Sequence, residues 1–415
     1  MNPTILLFTD HYPFGSGESF LEAEVERLAH SFKLVLISTS ALATPRRQLD
    51  SSVQVLRFNP DHTPMGWWEK LQILGDFLTH RACIDELAAI IKTKKRVVKR
   101  ISHALYAFGK SRRLYRYLQD EGLVDFNETT ILYFYWMNYK PIYFALTCAD
   151  HPKVKLISRV HGYDLYNERH PVQRHPFRQL VDQAMDSVFF VSDAGMDYYL
   201  KTFGITPSAK HQRLYLGTQR SHEVALKAKS EAFVVVSCAN VIALKRLEWI
   251  IEALALVNLP QRSIHWIHFG DGPSMAAVQA LAQEKLGSHP KIRYQFQGQV
   301  SHAALMDYYS THVVDCFITL SSSEGLPVSI MEAMSFGIPV ISTHVGGIAE
   351  MLPKDYPYLL DANVSYHDVA LAIEALCGLS PTQRDEVSTT LKALWARLFN
   401  EETNTTTLME KLRQR

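Results

Sequence analysis

No stretch of this 415-residue chain approaches the roughly 18 consecutive apolar residues that cross a bilayer. The opening apolar run, Ile5–Thr9, is short and lacks a basic flank, so it reads as a strand and not a secretory signal. Cysteine is scarce. Cys83, Cys148, Cys238, Cys316 and Cys377 are scattered, odd in number and form no C-x-x-C pair. That excludes a zinc ribbon, argues against a disulfide framework and leads us to expect a reducing cytoplasm. Charge of one sign is also missing: 43 basic and 42 acidic residues leave +1, so no global field recruits nucleic acid. The first strand is not followed by G-x-G-x-x-G with an acid about 20 residues on, which counts against a dinucleotide oxidoreductase. Neither G-x-S-x-G nor H-E-x-x-H occurs, so serine-hydrolase and zinc-protease readings are weak.

What is present fits two globular α/β domains of about 200 residues each. Hydrophobic residues make up 47% of the chain. Short β-branched or aromatic runs are expected to be strands at Ile5–Thr9, Lys33–Ser38, Ile131–Tyr135, Val154–Ser158 and Ser187–Val191, then at Phe233–Ser237, Ile264–Phe269, Ile292–Phe296, Cys316–Leu320 and Ile338–Ser342. Several lack polar alternation, as parallel strands covered on both faces do. Helix-period segments such as Glu18–Leu28 and Leu247–Leu256 lie between them. This alternation predicts a doubly wound design. The polar stretch Gly217–Glu231 precedes a fresh apolar strand and places a hinge near residue 225. The expected division is residues 1–225, residues 226–395, and a C-terminal helix over 396–415 packing back on the first domain.

The densest chemistry lies in Ser321–Met334. A strand ends, a loop with Glu324 and Gly325 follows, and Pro327 stands where the first helical residue is expected. The free N–H groups of a helix start would point at an anion. Glu332 lies about 7.5 Å further along the axis, so the two carboxylates bracket an anion site.

The pattern E-x7-E of Glu324 and Glu332, followed by Gly337–Ile341 and Val345–Gly347, resembles the signature of the family 4 retaining glycosyltransferases. Other segments resemble that family in the same order: Tyr12–Glu18, Val160–Asp164, Ser237–Lys245 with Leu247 and Glu248, Gly270–Pro273 and Phe296–Val300. The resemblance implies the GT-B fold, two Rossmann-like domains facing a central cleft. It implies sugar transfer from a UDP- or GDP-linked donor with retention, no metal and no cofactor beyond that co-substrate. The acceptor would be a glycan or a polyprenyl-diphosphate-linked glycan in bacterial capsule, exopolysaccharide or O-antigen assembly. Glu332 would accept the ribose hydroxyls and Glu324 would contact the transferred sugar. Lys245 would neutralise the diphosphate, with Gly325, Leu326 and Pro327 forming the helix start. Gly298 and Val300 would lie beside the base, and Gly15 and Gly17 would admit the donor closely. His161 would hydrogen-bond the sugar or acceptor, with Asp10 at the carboxyl edge of the first strand. His161 could equally be a satisfied structural histidine, and Asp164 could cap a helix or orient His161. Where the family often has an arginine, this chain has Asn240, and Arg246 is the candidate replacement cation.

Lys92–Arg116 holds ten lysines and arginines and no acid. It reads either as a solvated amphipathic helix pair or, with Trp67 and Trp68 upstream, as a docking surface for the cytoplasmic face of an anionic membrane. A GT-B-like nucleotide-sugar epimerase and a non-catalytic binding protein of the same fold stand as alternatives to the transferase.

Overall fold

The computed structural model describes residues 3–15, 18–42, 47–62, 64–220, 231–259 and 261–413. Contacts divide the chain into a first unit, residues 1–214 with 405–415, and a second, residues 215–404. Residue 225 and Gly17 lie outside the described residues.

The strands of the first unit are β1 (Thr4–Thr9), β2 (Lys33–Ser38), β3 (Gln54–Arg57), β4 (Thr130–Phe134), β5 (Val154–Val160), β6 (Ser187–Phe190) and β7 (His211–Arg213). They form one parallel sheet in the order β3-β2-β1-β4-β5-β6-β7. Alternation feeds both faces: Leu6, Phe8, Val35 and Ile37 enter one apolar core, while Ile5, Leu7, Leu34 and Leu36 enter the other. This is why these runs lack a polar face.

The second unit repeats the design. Its strands β8 (Phe233–Cys238), β9 (Ile264–Phe269), β10 (Ile292–Phe296), β11 (Cys316–Thr319), β12 (Val340–Thr343) and β13 (Leu359–Leu360) are parallel in the order β10-β9-β8-β11-β12-β13. In both sheets the winding reverses beside the first strand, between β1 and β4 and between β8 and β11. Loops leaving the carboxyl ends on either side of such a reversal diverge and open a ligand crevice.

Four helices of the first unit matter below: α1 (Glu22–Ser31), α2 (Trp67–Thr79), α3 (Arg81–Lys92) and α4 (Val97–Asp120). Glu18 lies outside α1, at a positive φ of 59°, and a 3-10 turn over Ser19–Leu21 intervenes, so the helix starts later than its periodicity suggests. The last helix, Glu401–Arg413, sends Leu408 and Leu412 into a core of the first unit.

The basic run Lys92–Arg116 is not one solvated face. Arg112 is buried and pairs with Asp76, Arg113 pairs with Glu69 (3.1 Å) and Lys110 with Asp61 (2.7 Å). Arg100, also buried, donates to the carbonyls of Val172 and Gln173. Acids distant in sequence thus pair with Lys110, Arg112 and Arg113, so most of the second half of the run does not present unopposed charge, while Arg116 stays exposed. No helix among the described residues is long and apolar enough to cross a membrane.

Candidate functional site

The reversal point of the second unit gathers most of the expected donor residues. After β8 the chain passes Asn240, which is exposed, and enters a 3-10 turn, Ala243–Lys245. The loop after β11 is held against that turn by Ser322, whose N–H and hydroxyl both donate to the Leu244 carbonyl (2.9 and 3.3 Å). From the other side, Thr343 Oγ1 donates to Ser321 O (2.6 Å) and Gly347 N to Gly325 O (2.9 Å). The loop is therefore preformed.

Glu324 is buried, accepts from Ser321 Oγ (2.6 Å) and pairs with Lys245 Nζ (2.5 Å). The helix Val328–Ser335 begins immediately after this loop. Pro327 is its N-cap and not its first helical residue, because its ψ of 115° is extended. Glu332, equally buried, points to His302 Nε2 at 2.9 Å. The Cys238 thiol at the end of β8 is pushed up to about 12, by burial first and then by Glu332, with Lys245 opposing. Glu324, Lys245 and Glu332 thus converge on one sheet edge with the start of a helix, an arrangement suited to a diphosphate flanked by hydroxyl-bearing groups.

Two glycines let the neighbouring loops close up. A Cβ at Gly270, whose φ is 133°, would collide with the Ala239 carbonyl, and one at Gly272 would sit 2.5 Å from Val241 O. Gly270 N donates to Gly298 O (2.8 Å), which joins the loop of Gly298 and half-buried Val300 to that of Gly270, and Val241 N donates to Asp271 O (3.0 Å), which joins the latter to the loop holding Asn240. Leu326 is buried beside Gly325. Arg246 is not brought to the Lys245–Glu324 pair. Its guanidinium lies 4.4 Å over Trp249 and donates to Ala362 O (2.9 Å), so the cation missing at Asn240 is not restored by this side chain.

The reversal point of the first unit gathers Asp10, Gly15 and His161. Glu18 folds the glycine loop around its carboxylate, accepting from the N–H groups of Asp10 (3.2 Å), His11 (2.7 Å) and Tyr12 (2.5 Å) and from the Trp136 indole. Gly15 takes a φ of 71° in this loop. Asp10 pairs with fully buried Lys140 and accepts from Asn138 Nδ2 (3.1 Å). Burial alone would raise its pKa, but Lys140 outweighs it and holds the carboxyl below its ordinary value. Asp10 is therefore ionised and already committed, which suits positioning better than proton transfer.

His161 is 6% exposed, packs against the rings of Tyr135 (4.8 Å) and Trp136 (4.4 Å), and among the described residues neither ring nitrogen has a hydrogen-bond partner. Burial, reinforced by nearby Arg159, pushes its pKa well below 6.5, so the imidazole is neutral. A buried polar ring without partners is a place for a ligand. Asp164 settles its own role: its carboxylate accepts from the N–H groups of His161 and Met137 (both 2.7 Å), so it fixes the His161 backbone and not the ring. Beside this lies a pocket of about 310 Å³ lined by Asp10, Asn138, Tyr139, His103, His170 and His175. Burial lowers His170 to about 4 and His175 to about 2, with His103 and Arg178 adding to the effect respectively. The pocket offers neutral imidazoles and phenols, groups that donate to and accept from hydroxyls.

Sequence reasoning missed Glu18, Asn138, Lys140 and His302. Glu18 was visible as the acid closing the glycine segment. The other three meet their partners across 128, 130 and 30 residues, a relation no local pattern carries.

Residues 218–388 match the family Glycosyl transferases group 1. The chain is similar to N-acetyl-alpha-D-glucosaminyl L-malate synthase of Bacillus anthracis, 27% identical over 35% of each chain. It is also similar to the putative teichuronic acid biosynthesis glycosyltransferase TuaC of Bacillus subtilis, 31% identical over 28% of this chain and 27% of that one. The matched stretches thus span about a third of these relatives. Among solved structures, sucrose-phosphate synthase of Thermosynechococcus elongatus superposes over 100% of this chain and 99% of that one, with a TM-score of 0.71 at 15% identity. Anabaena HepE, in complex with UDP and glucose, covers 99% of each chain with a TM-score of 0.64, also at 15% identity. These likenesses show the GT-B fold.

Proposed function

Since residues 218–388 match the Glycosyl transferases group 1 family, we propose that the chain moves a sugar from a UDP- or GDP-sugar to a glycan or lipid-linked glycan in bacterial polysaccharide assembly. We place this work in the cytoplasm, on the inner face of the membrane. The observation that carries the reading is the preformed β11 loop, where buried Glu324 holds Lys245 beside a helix start and Glu332 waits one turn on. Anabaena HepE holds UDP and glucose in the same fold, which makes a UDP-sugar the first donor to try.

In this reading Lys245 and the first N–H groups of the helix take the diphosphate. Glu332, oriented by His302, accepts the ribose hydroxyls. Glu324 positions the transferred sugar, and the unpartnered ring of His161 receives a hydroxyl of the acceptor. The acceptor lies in the pocket beside Asp10. Its hydroxyl oxygen bonds to the anomeric carbon on the face the diphosphate leaves; the carbon–oxygen bond to the diphosphate breaks, and the hydroxyl proton passes to the departing phosphate oxygen. Configuration is retained. Lys245 and the helix start stabilise the leaving charge, the part a metal ion plays elsewhere, so we expect turnover in chelator.

A sugar-nucleotide screen by thermal shift identifies the donor, because a ligand bound only by the native state raises the melting temperature. NMR of the product made in excess chelator then tests the chemistry. An α-linked donor should give an α-linked product. Inversion overturns retention, dependence on added magnesium overturns the metal-free reading, and sugar epimerisation without acceptor favours the epimerase.

A further inference from the structure

Helix α2 carries an apolar stripe that the core does not use. Ile73 and Phe77 point inward, while Glu69 and Asp76 turn to Arg113 and Arg112 of α4. Trp67, Leu71, Leu74 and Leu78 recur at spacings of four, three and four, which at ~100° per residue confines them to an arc of roughly 60°. They are 61%, 50%, 42% and 53% exposed. Trp68, more exposed still, stacks on Trp67 with ring centroids 3.8 Å apart. Ile84 and Ile91 of α3 and Val98 of α4 add further exposed apolar surface. A helix facing only water would carry polar residues along such a stripe.

The charge around the stripe is of one sign. Every acid of α2 and α3 is already matched: Glu69 by Arg113, Asp76 by Arg112, Asp85 by Arg81 and Glu86 by Arg174. Lys70 on α2 is exposed, as are Lys92, Lys94, Lys95 and Lys99 around the turn from α3 to α4. Among the described residues no carboxylate forms an ion pair with any of these five lysines.

We infer that α2 lies in the interface of an anionic lipid bilayer, its leucines at the acyl boundary, its tryptophan pair at headgroup level and the lysines of the adjoining turn on the headgroups. Apolar burial and attraction of lysines to anionic lipid act together in such helices. A second copy of this chain could also cover the stripe, but it would bring two positively charged rims together. This docking differs from one spread over the basic run, since α4 spends most of its inner charge on α2 and the core.

Flotation of the full chain with vesicles of phosphatidylglycerol and phosphatidylcholine, against phosphatidylcholine alone, tests the inference. Binding to the anionic vesicles is expected, and Leu71→Ser/Leu74→Ser/Leu78→Ser should lower it at least tenfold. The charge variant Lys92→Gln/Lys94→Gln/Lys95→Gln/Lys99→Gln should reduce binding on anionic vesicles towards the level seen on neutral ones. Calorimetric binding of the sugar nucleotide found above should be the same in all three proteins, which also shows that the variants are folded. Failure of the wild type to float, or equal flotation of the leucine variant, overturns the inference. A wild-type dimer by light scattering that becomes a monomer in the leucine variant also overturns it and assigns the stripe to a second copy. None of these results touches the transferase reading, which stands or falls on the donor.

Discussion

In the proposed reading Lys245 and Glu332 would meet the donor through charge-assisted hydrogen bonds, each worth about 1.5–3 kcal/mol, or roughly 10- to 150-fold in affinity. Lys245→Ala and Glu332→Ala are therefore each expected to weaken sugar-nucleotide binding by that factor. Calorimetry on the folded variants checks this, and unchanged affinity in both removes the site. Lys245→Ala should also cost some stability, because it strips buried Glu324 of its counter-ion. Glu324, Glu332 and Lys245 were legible in the sequence because two lie in one continuous motif and the third ends a loop after a recognisable strand. His302 was not. Its value lies in a 2.9 Å contact with a carboxylate on another helix. Arg246 was legible as a cation, but its left-handed backbone aims it elsewhere, at Trp249 and Ala362.

Helix α4 shows what a charge pattern hides at the scale of one element. Its arginines look unopposed when the run is read alone, yet α2 supplies the acids from about 40 residues upstream. The pairing has a measurable consequence. Asp76→Ala would leave the Arg112 guanidinium, whose side chain is 3% exposed, buried without its counter-ion. A loss of about 2–4 kcal/mol in urea unfolding is expected, less than for a fully sealed pair because Asp76 is partly open to water. A change under 0.5 kcal/mol would mean that the ion pair does not fasten α2 to α4. Strand recognition failed in a physically consistent way. The ten expected runs, nine of them inside their sheets, appear within two residues of their expected bounds, whereas Gln54–Arg57, His211–Arg213 and Leu359–Leu360 were overlooked. These are edge strands of two to four residues, covered on fewer sides and too short to show a period.

At the scale of the whole molecule, acidity should act mainly on the first unit. His161 and His175 are buried and neutral, the one held well below 6.5 and the other near 2. Below about pH 6.5 the unfolded chain takes up protons that these folded sites refuse, so stability falls as pH drops. At pH 5.5 the His175 site should cost about 1.4 kcal/mol, and His161 acts in the same direction. Asp164, raised by burial to about 6, gains its proton first in the folded state and offsets part of the loss. Thermal melts at pH 7.5 and 5.5 should show the drop, and His175→Asn should shrink it. Equal drops in the two proteins would mean that His175 titrates freely. The doubly wound layout itself was legible because buried parallel strands are long, apolar and regularly spaced. The exact division of the chain was not, since contacts place its boundaries at Tyr215 and Thr405, some ten residues from those expected, with Thr405 onward in the first unit.

That last assignment bears on how the protein is made. Leu408 and Leu412 complete a core whose other members are all encoded before residue 215. During synthesis at about 5–20 residues per second, some 190 residues must still be added before those leucines emerge, a delay of roughly 10–40 s. Throughout that interval the side of the early sheet they will cover is open to solvent, a surface on which a chaperone can act, while the second unit assembles and seals itself without waiting.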